Sequence, residues 1–169
     1  MAMRTIYLVS DRQASFQRSH FSLFVPSAAD PTMGTVIHVV GAPMAGYALE
    51  FKRNHSPASI PHSHEICPIG QVASAHIVDS TDAAAAPSID CQPKGDIEIA
   101  AAQVPPPGIS ENFLAPVNDT TNRRCQEWTV EYVRHLASKG IIDASAVEIV
   151  QSRRDPPGHG IGLQPAGRH

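Results

Sequence analysis

No stretch of this sequence concentrates positive charge. The 13 basic residues are scattered among 16 acidic ones, giving a net charge of −3, so the phosphate-neutralising surface that nucleic-acid binders need is missing and nucleic acid is excluded as an expected partner. Long apolar runs are also lacking. Ile6-Tyr7-Leu8-Val9 is too short for a signal-peptide core, and no later stretch reaches the length of a membrane-spanning helix; the expectation is a soluble, cytoplasmic protein without an integral membrane segment. Cysteine is scarce. Cys67, Cys91 and Cys125 cannot all pair within one chain, and their irregular spacing does not describe a secreted disulfide framework. At least one thiol is therefore expected to be free.

What is present suffices for a core: 169 residues with 42% hydrophobic content fit one domain spanning residues 1–169. Branched and aromatic residues predict strands at Thr5–Val9 and His20–Val25, then, after the turn-rich segment 26–34, at Thr35–Val40. Tyr47–Arg53 extends these into an antiparallel meander. Further strands are expected within Gly70–Val78 and at Asp96–Ala100, where polar and apolar residues alternate. Segments 54–66 and 80–95 read as loops, and 155–169 as an irregular tail.

The clearest helix covers about Asn122–Lys139, with Thr120 or Thr121 as N-cap and Gly140 as its stop. Cys125, Trp128, Tyr132 and Leu136 form its inward stripe, while Arg124, Glu127, Glu131 and Arg134 belong to the solvated side. A shorter helix capped by Asp143 runs through Val150. The fold class is thus α+β, an antiparallel sheet packed against a cysteine-bearing helix.

Cys125 carries the chemical interest. A thiol in the first turn of a helix meets unpaired amides and the positive end of the helix dipole, which favour its thiolate, and Arg123 and Arg124 add positive potential. Buried cysteine also serves as a small apolar core group, so position alone does not assign catalysis. His38 interrupts the apolar run Val36-Ile37-His38-Val39-Val40, where a buried imidazole needs a partner for each nitrogen. His20 opens the preceding strand. If the strands pair, the two imidazoles lie on neighbouring strands of one face, His20 as base and His38 as its orienting partner.

These pieces, His20-Phe21-Ser22-Leu23-Phe24-Val25, then Val36-Ile37-His38-Val39, then Cys125-Gln126-Glu127-Trp128, resemble the circularly permuted papain-like thiol enzymes of the lecithin retinol acyltransferase-like branch of the NlpC-type superfamily. The resemblance implies Cys125 as nucleophile, His20 as general base and His38 as third member, acting without a cofactor. Arg124 stands where that family usually has asparagine, and 86 residues separate His38 from Cys125. The implied reaction is hydrolysis or acyl transfer on a peptide, amide, ester or small acyl substrate through an acyl-enzyme, with the Cys125 amide in an oxyanion hole. Two other readings compete: a cyclase or isomerase of a small natural product using Cys125 and His20 as acid and base, and a non-catalytic binding module on the same fold. His62, His64 and Cys67 form a metal-binding alternative whose spacing matches no standard site. The oligomeric state is left open.

Overall fold

The alternation of the N-terminal half builds a sheet before any helix is needed. In the computed structural model, which describes residues 2–79 and 86–160, β1 (Met3–Asp11), β2 (His20–Pro26), β3 (Gly34–Ala42) and β4 (Gly46–His55) form the expected antiparallel meander. Its outer edges are closed by β5 (His64–Ala73) beside β1 and the short β6 (Ser88–Asp90) beside β4, in the order β5-β1-β2-β3-β4-β6. All pairings are antiparallel.

Several expectations need correction. Segment 54–66 is not a loop throughout: β4 runs to His55, a 3₁₀ turn covers Pro57–Ser59, and β5 has begun at His64. Much of the strand expected after Gly70 is absent, because β5 ends at Ala73 in a second 3₁₀ turn, Ser74–His76. Asp96–Ala100 is helical, within α1 (Gly95–Ala102). There Ile97, Ala100, Ala101 and then Val104 are buried, a helical spacing whose first members also alternate like a strand. Gly95 opens α1 at φ 76°, with a would-be Cβ 2.9 Å from the His76 carbonyl oxygen, so only glycine fits that entry. Of the expected loop 80–95, residues 80–85 lie outside the described part, and 88–90 pair with β4. The expected tail extends beyond the described residues after Gly160.

The helix α2 (Cys125–Ser138) starts with Arg124 at its N-cap, not with Thr120 or Thr121. Asn118 holds the amides of both threonines and of Asn122 through its side-chain oxygen, which makes that segment a turn. The Arg124 amide instead donates to Glu127 Oε1 at 2.9 Å. Gly140 follows the helix at φ 72°. Asp143 Oδ1 accepts the Ser145 amide, and α3 runs from Ser145 to Ser152.

One face of the sheet, with Ile6, Leu8, Phe21, Leu23, Ile37 and Phe51, packs against Trp128, Tyr132 and Leu136 of α2. Each such side chain contributes roughly 1.5–3 kcal/mol by leaving water. The indole of Trp128 donates to the Val104 carbonyl at 2.9 Å and the Tyr132 hydroxyl to the Ile97 carbonyl at 2.6 Å, tying α2 to α1 without leaving a buried donor unpaired. Among the described residues no helix is long and apolar enough to cross a membrane.

Arg53 is buried where β4, β6 and α1 meet, and its guanidinium donates to Glu98 at 2.6 Å and to both oxygens of Asp90 at 3.0 and 3.1 Å. Glu98 also accepts the Lys94 amide. Removing one partner of a buried charge costs more than the pair was worth, since the remaining charge stays desolvated. Glu98→Gln is therefore expected to lower unfolding stability by about 2 kcal/mol, read as a lower denaturant midpoint at unchanged slope; a midpoint equal to wild type would contradict the account.

Candidate active site

Strand alternation decides where the two histidines point. Phe21, Leu23 and Val25 on β2, and Ile37 and Val39 on β3, belong to the main core under the helices. His20, Ser22 and Phe24, with Val36 and His38, therefore occupy the opposite face, where Val9, Phe24 and Val36 make a smaller apolar cluster. The imidazoles meet there. His20 Nε2 lies 2.7 Å from His38 Nδ1, with the rings edge to face at 73°. His38 Nε2 lies 2.9 Å from Oε2 of Glu50, its direct cross-strand partner on β4.

This chain of contacts assigns the protons. A carboxylate only accepts, so His38 carries its proton on Nε2 and offers the Nδ1 lone pair to His20 Nε2–H. His20 Nδ1 is then left as a bare acceptor. Both imidazoles are held neutral: burial pushes each pKa down to about 4. For His20 the neighbouring His38 and Lys52 push the same way while Asp11 and Glu50 oppose; for His38, Lys52 and His55 reinforce the burial.

Cys125 approaches from the helix side, around the start of β2. Its thiol donates to the Ser19 carbonyl at 3.8 Å and its sulfur accepts the Phe21 amide, so it grips the backbone on both sides of His20. No hydrogen bond joins the thiol to His20. The expected thiolate is overturned: burial pushes the thiol up to about 11, with only partial opposition from the Phe21 amide, and the Glu127 carboxylate raises it further. Placing Glu127 on the solvated side was incorrect. It is buried in the first turn of α2, where its charge counters the helix dipole. Arg123 is committed to Glu131 at 2.7 Å.

A polar clamp fixes Cys125 relative to His20. The Gln126 amide donates to the Ser19 carbonyl at 3.0 Å and to Asp155 Oδ2 at 2.8 Å, and Asp155 Oδ2 also accepts the Ser19 amide at 2.8 Å. Arg18 reaches Gln126 and Glu127, both at 3.0 Å. Asp155, expected in an irregular tail, thus locks the segment before His20 to the first turn of α2. Burial raises its carboxyl, but hydrogen bonds from Arg12, Ser19 and Gln126 outweigh this and hold it below the usual range.

The thiol and the imidazoles border one cleft of about 720 Å³, together with Tyr47, Lys52 and Arg124. Tyr47 was not expected here. Its hydroxyl makes no hydrogen bond among the described residues, and burial, reinforced by Cys125, holds its proton on. Glu50 was likewise missed, although the alternation of Tyr47, Leu49 and Phe51 on one face puts Glu50 and Lys52 on the face of His38. His62, His64 and Cys67 are not brought together. His62 binds Asp11 at 3.1 Å, while the ring of His64 meets the His62 carbonyl. Cys67 lies three residues farther along β5, about 10 Å in extended chain and on the other face. Among the described residues no three histidine, cysteine, aspartate or glutamate side chains converge as a metal site.

No curated protein and no solved structure matches the chain. A family model matches residues 6–143, a span that includes His20, His38, Tyr47, Glu50 and Cys125. The chain therefore belongs to the DUF6540 family, a family of unknown function.

Proposed function

We propose that the protein is a thiol-dependent hydrolase or acyltransferase on a circularly permuted papain-like scaffold, acting on an amide, ester or small acyl substrate, peptides included. The observation that carries this reading is the directed chain Glu50–His38–His20, which leaves a lone pair on His20 at the strand start that Cys125 grips. A base whose second nitrogen is held by an orienting group is what nucleophilic catalysis by a protonated thiol requires. The order His20, His38, Cys125 on two strands and a helix start supports the permuted arrangement.

In the first step the Cys125 sulfur bonds to the acyl carbon as its proton passes to His20 Nδ1. The tetrahedral oxyanion takes hydrogen bonds from the first amides of α2, which have no intrahelical acceptor, and from the Tyr47 hydroxyl. The carbon to leaving-group bond then breaks, and the leaving group departs with the proton from His20. Water or an acceptor, deprotonated by His20, next attacks the thioester and releases Cys125.

An acylating probe located residue by residue is the appropriate test, because exposed Cys91 also meets any electrophile in solution. p-Nitrophenyl acetate is expected to place an acetyl group on Cys125, located by peptide mass spectrometry and absent in Cys125→Ala. The acylation rate should be flat across neutral pH, with an acid limb near 4 following the pKa of His20 and no fall on the alkaline side, where the thiol ionises near 11 to a thiolate that is itself a nucleophile. An acid limb near 6.5, the ordinary histidine value, would remove the buried His20 from the role. The protonated thiol also favours a second reading, cyclase or isomerase chemistry with Cys125 as acid and His20 as base. Acylation of Cys125 by neither this probe nor other activated acyl esters would favour that reading over the first.

A further inference from the structure

We infer that the cleft recognises an anionic group on its ligand, a carboxylate or equivalent, and that Arg124 is the residue that binds it. The inference rests on the acyl-transfer reading for the rest of the ligand, but its own basis is the distribution of charge. Three cationic side chains border the cleft, Arg18, Lys52 and Arg124, against one carboxylate, Asp11. Asp11 is engaged by His62 at 3.1 Å and Arg18 by Glu127 at 3.0 Å. Lys52 and Arg124 have no ionic partner among the described residues.

Arg124 is the more telling of the two. Three arginines, Arg18, Arg123 and Arg124, keep a buried Nε–H without a hydrogen-bond partner, a costly state for a donor withdrawn from water. Arg18 and Arg123 offset it through carboxylates, Glu127 and Glu131. Arg124 has only the Phe113 carbonyl, at 2.9 Å from Nη2. Its Nη1 makes no hydrogen bond among the described residues, and the guanidinium borders the cleft with Cys125 and Tyr47, where its planar fork suits a two-oxygen anion. Lys52, on the β4 side beside the imidazoles, adds positive potential that steers an anion inward.

Two ester probes of matched length separate this inference from the reading it rests on. Monophenyl succinate carries a terminal carboxylate; phenyl butyrate does not. In Cys125→Ala protein, where no acylation of the thiol can occur, calorimetry is expected to show the succinate ester binding about tenfold tighter, the size of one added charge-assisted hydrogen bond. Adding Arg124→Gln should bring the two affinities together, while Arg134→Gln, on the exposed side of α2, should keep the difference. Equal affinities in Cys125→Ala protein, or a preference that survives Arg124→Gln, overturn the inference. Acylation of wild-type Cys125 is measured separately with the corresponding p-nitrophenyl esters. Failure of both to acylate it counts against the thiol-enzyme reading alone, since the binding comparison still decides whether Arg124 holds an anion. A loss of acylation with Arg124→Gln that is equal for both esters would mark Arg124 as a donor to the oxyanion and also overturn the inference.

Discussion

His20→Ala is expected to slow acylation of Cys125 at neutral pH by about 10²- to 10⁴-fold, the range that a positioned general base supplies. The size follows from the state of the thiol. With the sulfur at about 11 and burial as the main cause, almost no thiolate exists at neutral pH, and attack needs a base that accepts the proton as the bond forms. In the proposed chemistry this role falls to His20 and not to His38, because His38 spends its two nitrogens on His20 and Glu50. Without His20 the reaction must wait for free thiolate. The variant's rate should therefore climb about tenfold for each pH unit until it nears 11, whereas wild type stays flat across neutral pH. Single-turnover release of p-nitrophenol against pH distinguishes the two profiles. A loss below about threefold at neutral pH, in a variant with unchanged circular dichroism, would be far under the range for a general base and would remove His20 from catalysis.

The sequence made the meander and the cysteine-bearing helix legible for different reasons. In β2 and β3 the apolar alternation is strong enough to locate both strands, and His38 stands out because it breaks that pattern. Its partner did not stand out, since Glu50 is an ordinary charged residue until antiparallel pairing puts it opposite His38. Alternation already held half of that answer; the register held the rest. Helix α1 was misread because Ile97 and Ile99 alternate like strand residues, while its real inward face, Ile97, Ala100 and Ala101, depends on small alanines that carry a weak hydrophobic signal. The raised thiol was not legible at all. Its main cause is burial of the sulfur, to which Glu127, turned inward to meet Arg18 and Arg154, adds, and these are contacts separated by long stretches of chain. Asp155 is similar: its position in a Pro-Gly-rich tail says nothing of the two amides and the Arg12 guanidinium that it holds.

Tyr47→Phe isolates the other half of the proposed chemistry. The substitution deletes one hydroxyl and keeps the ring, whose packing against the main core should leave the denaturant midpoint unchanged, because the hydroxyl bonds to no described residue. Burial, then the nearby Cys125, raise the Tyr47 pKa, so the group remains a donor throughout the working pH range. A donor with no ground-state partner, bordering the cleft beside the sulfur, gains most when negative charge appears on the substrate oxygen. Removing it should lower kcat by about 10²- to 10³-fold, the cost of one oxyanion-hole donor. KM should change little, since a neutral carbonyl draws far less on the hydrogen bond than the oxyanion does. The acid limb near 4 should stay in place, because His20 is untouched, and this separates the loss from one caused by a displaced base. Equal kcat values for Tyr47→Phe and wild type on p-nitrophenyl acetate would leave the first amides of α2 as the donors and take Tyr47 out of the site. A rise in KM with kcat retained would instead make Tyr47 a ground-state contact, binding substrate and transition state alike.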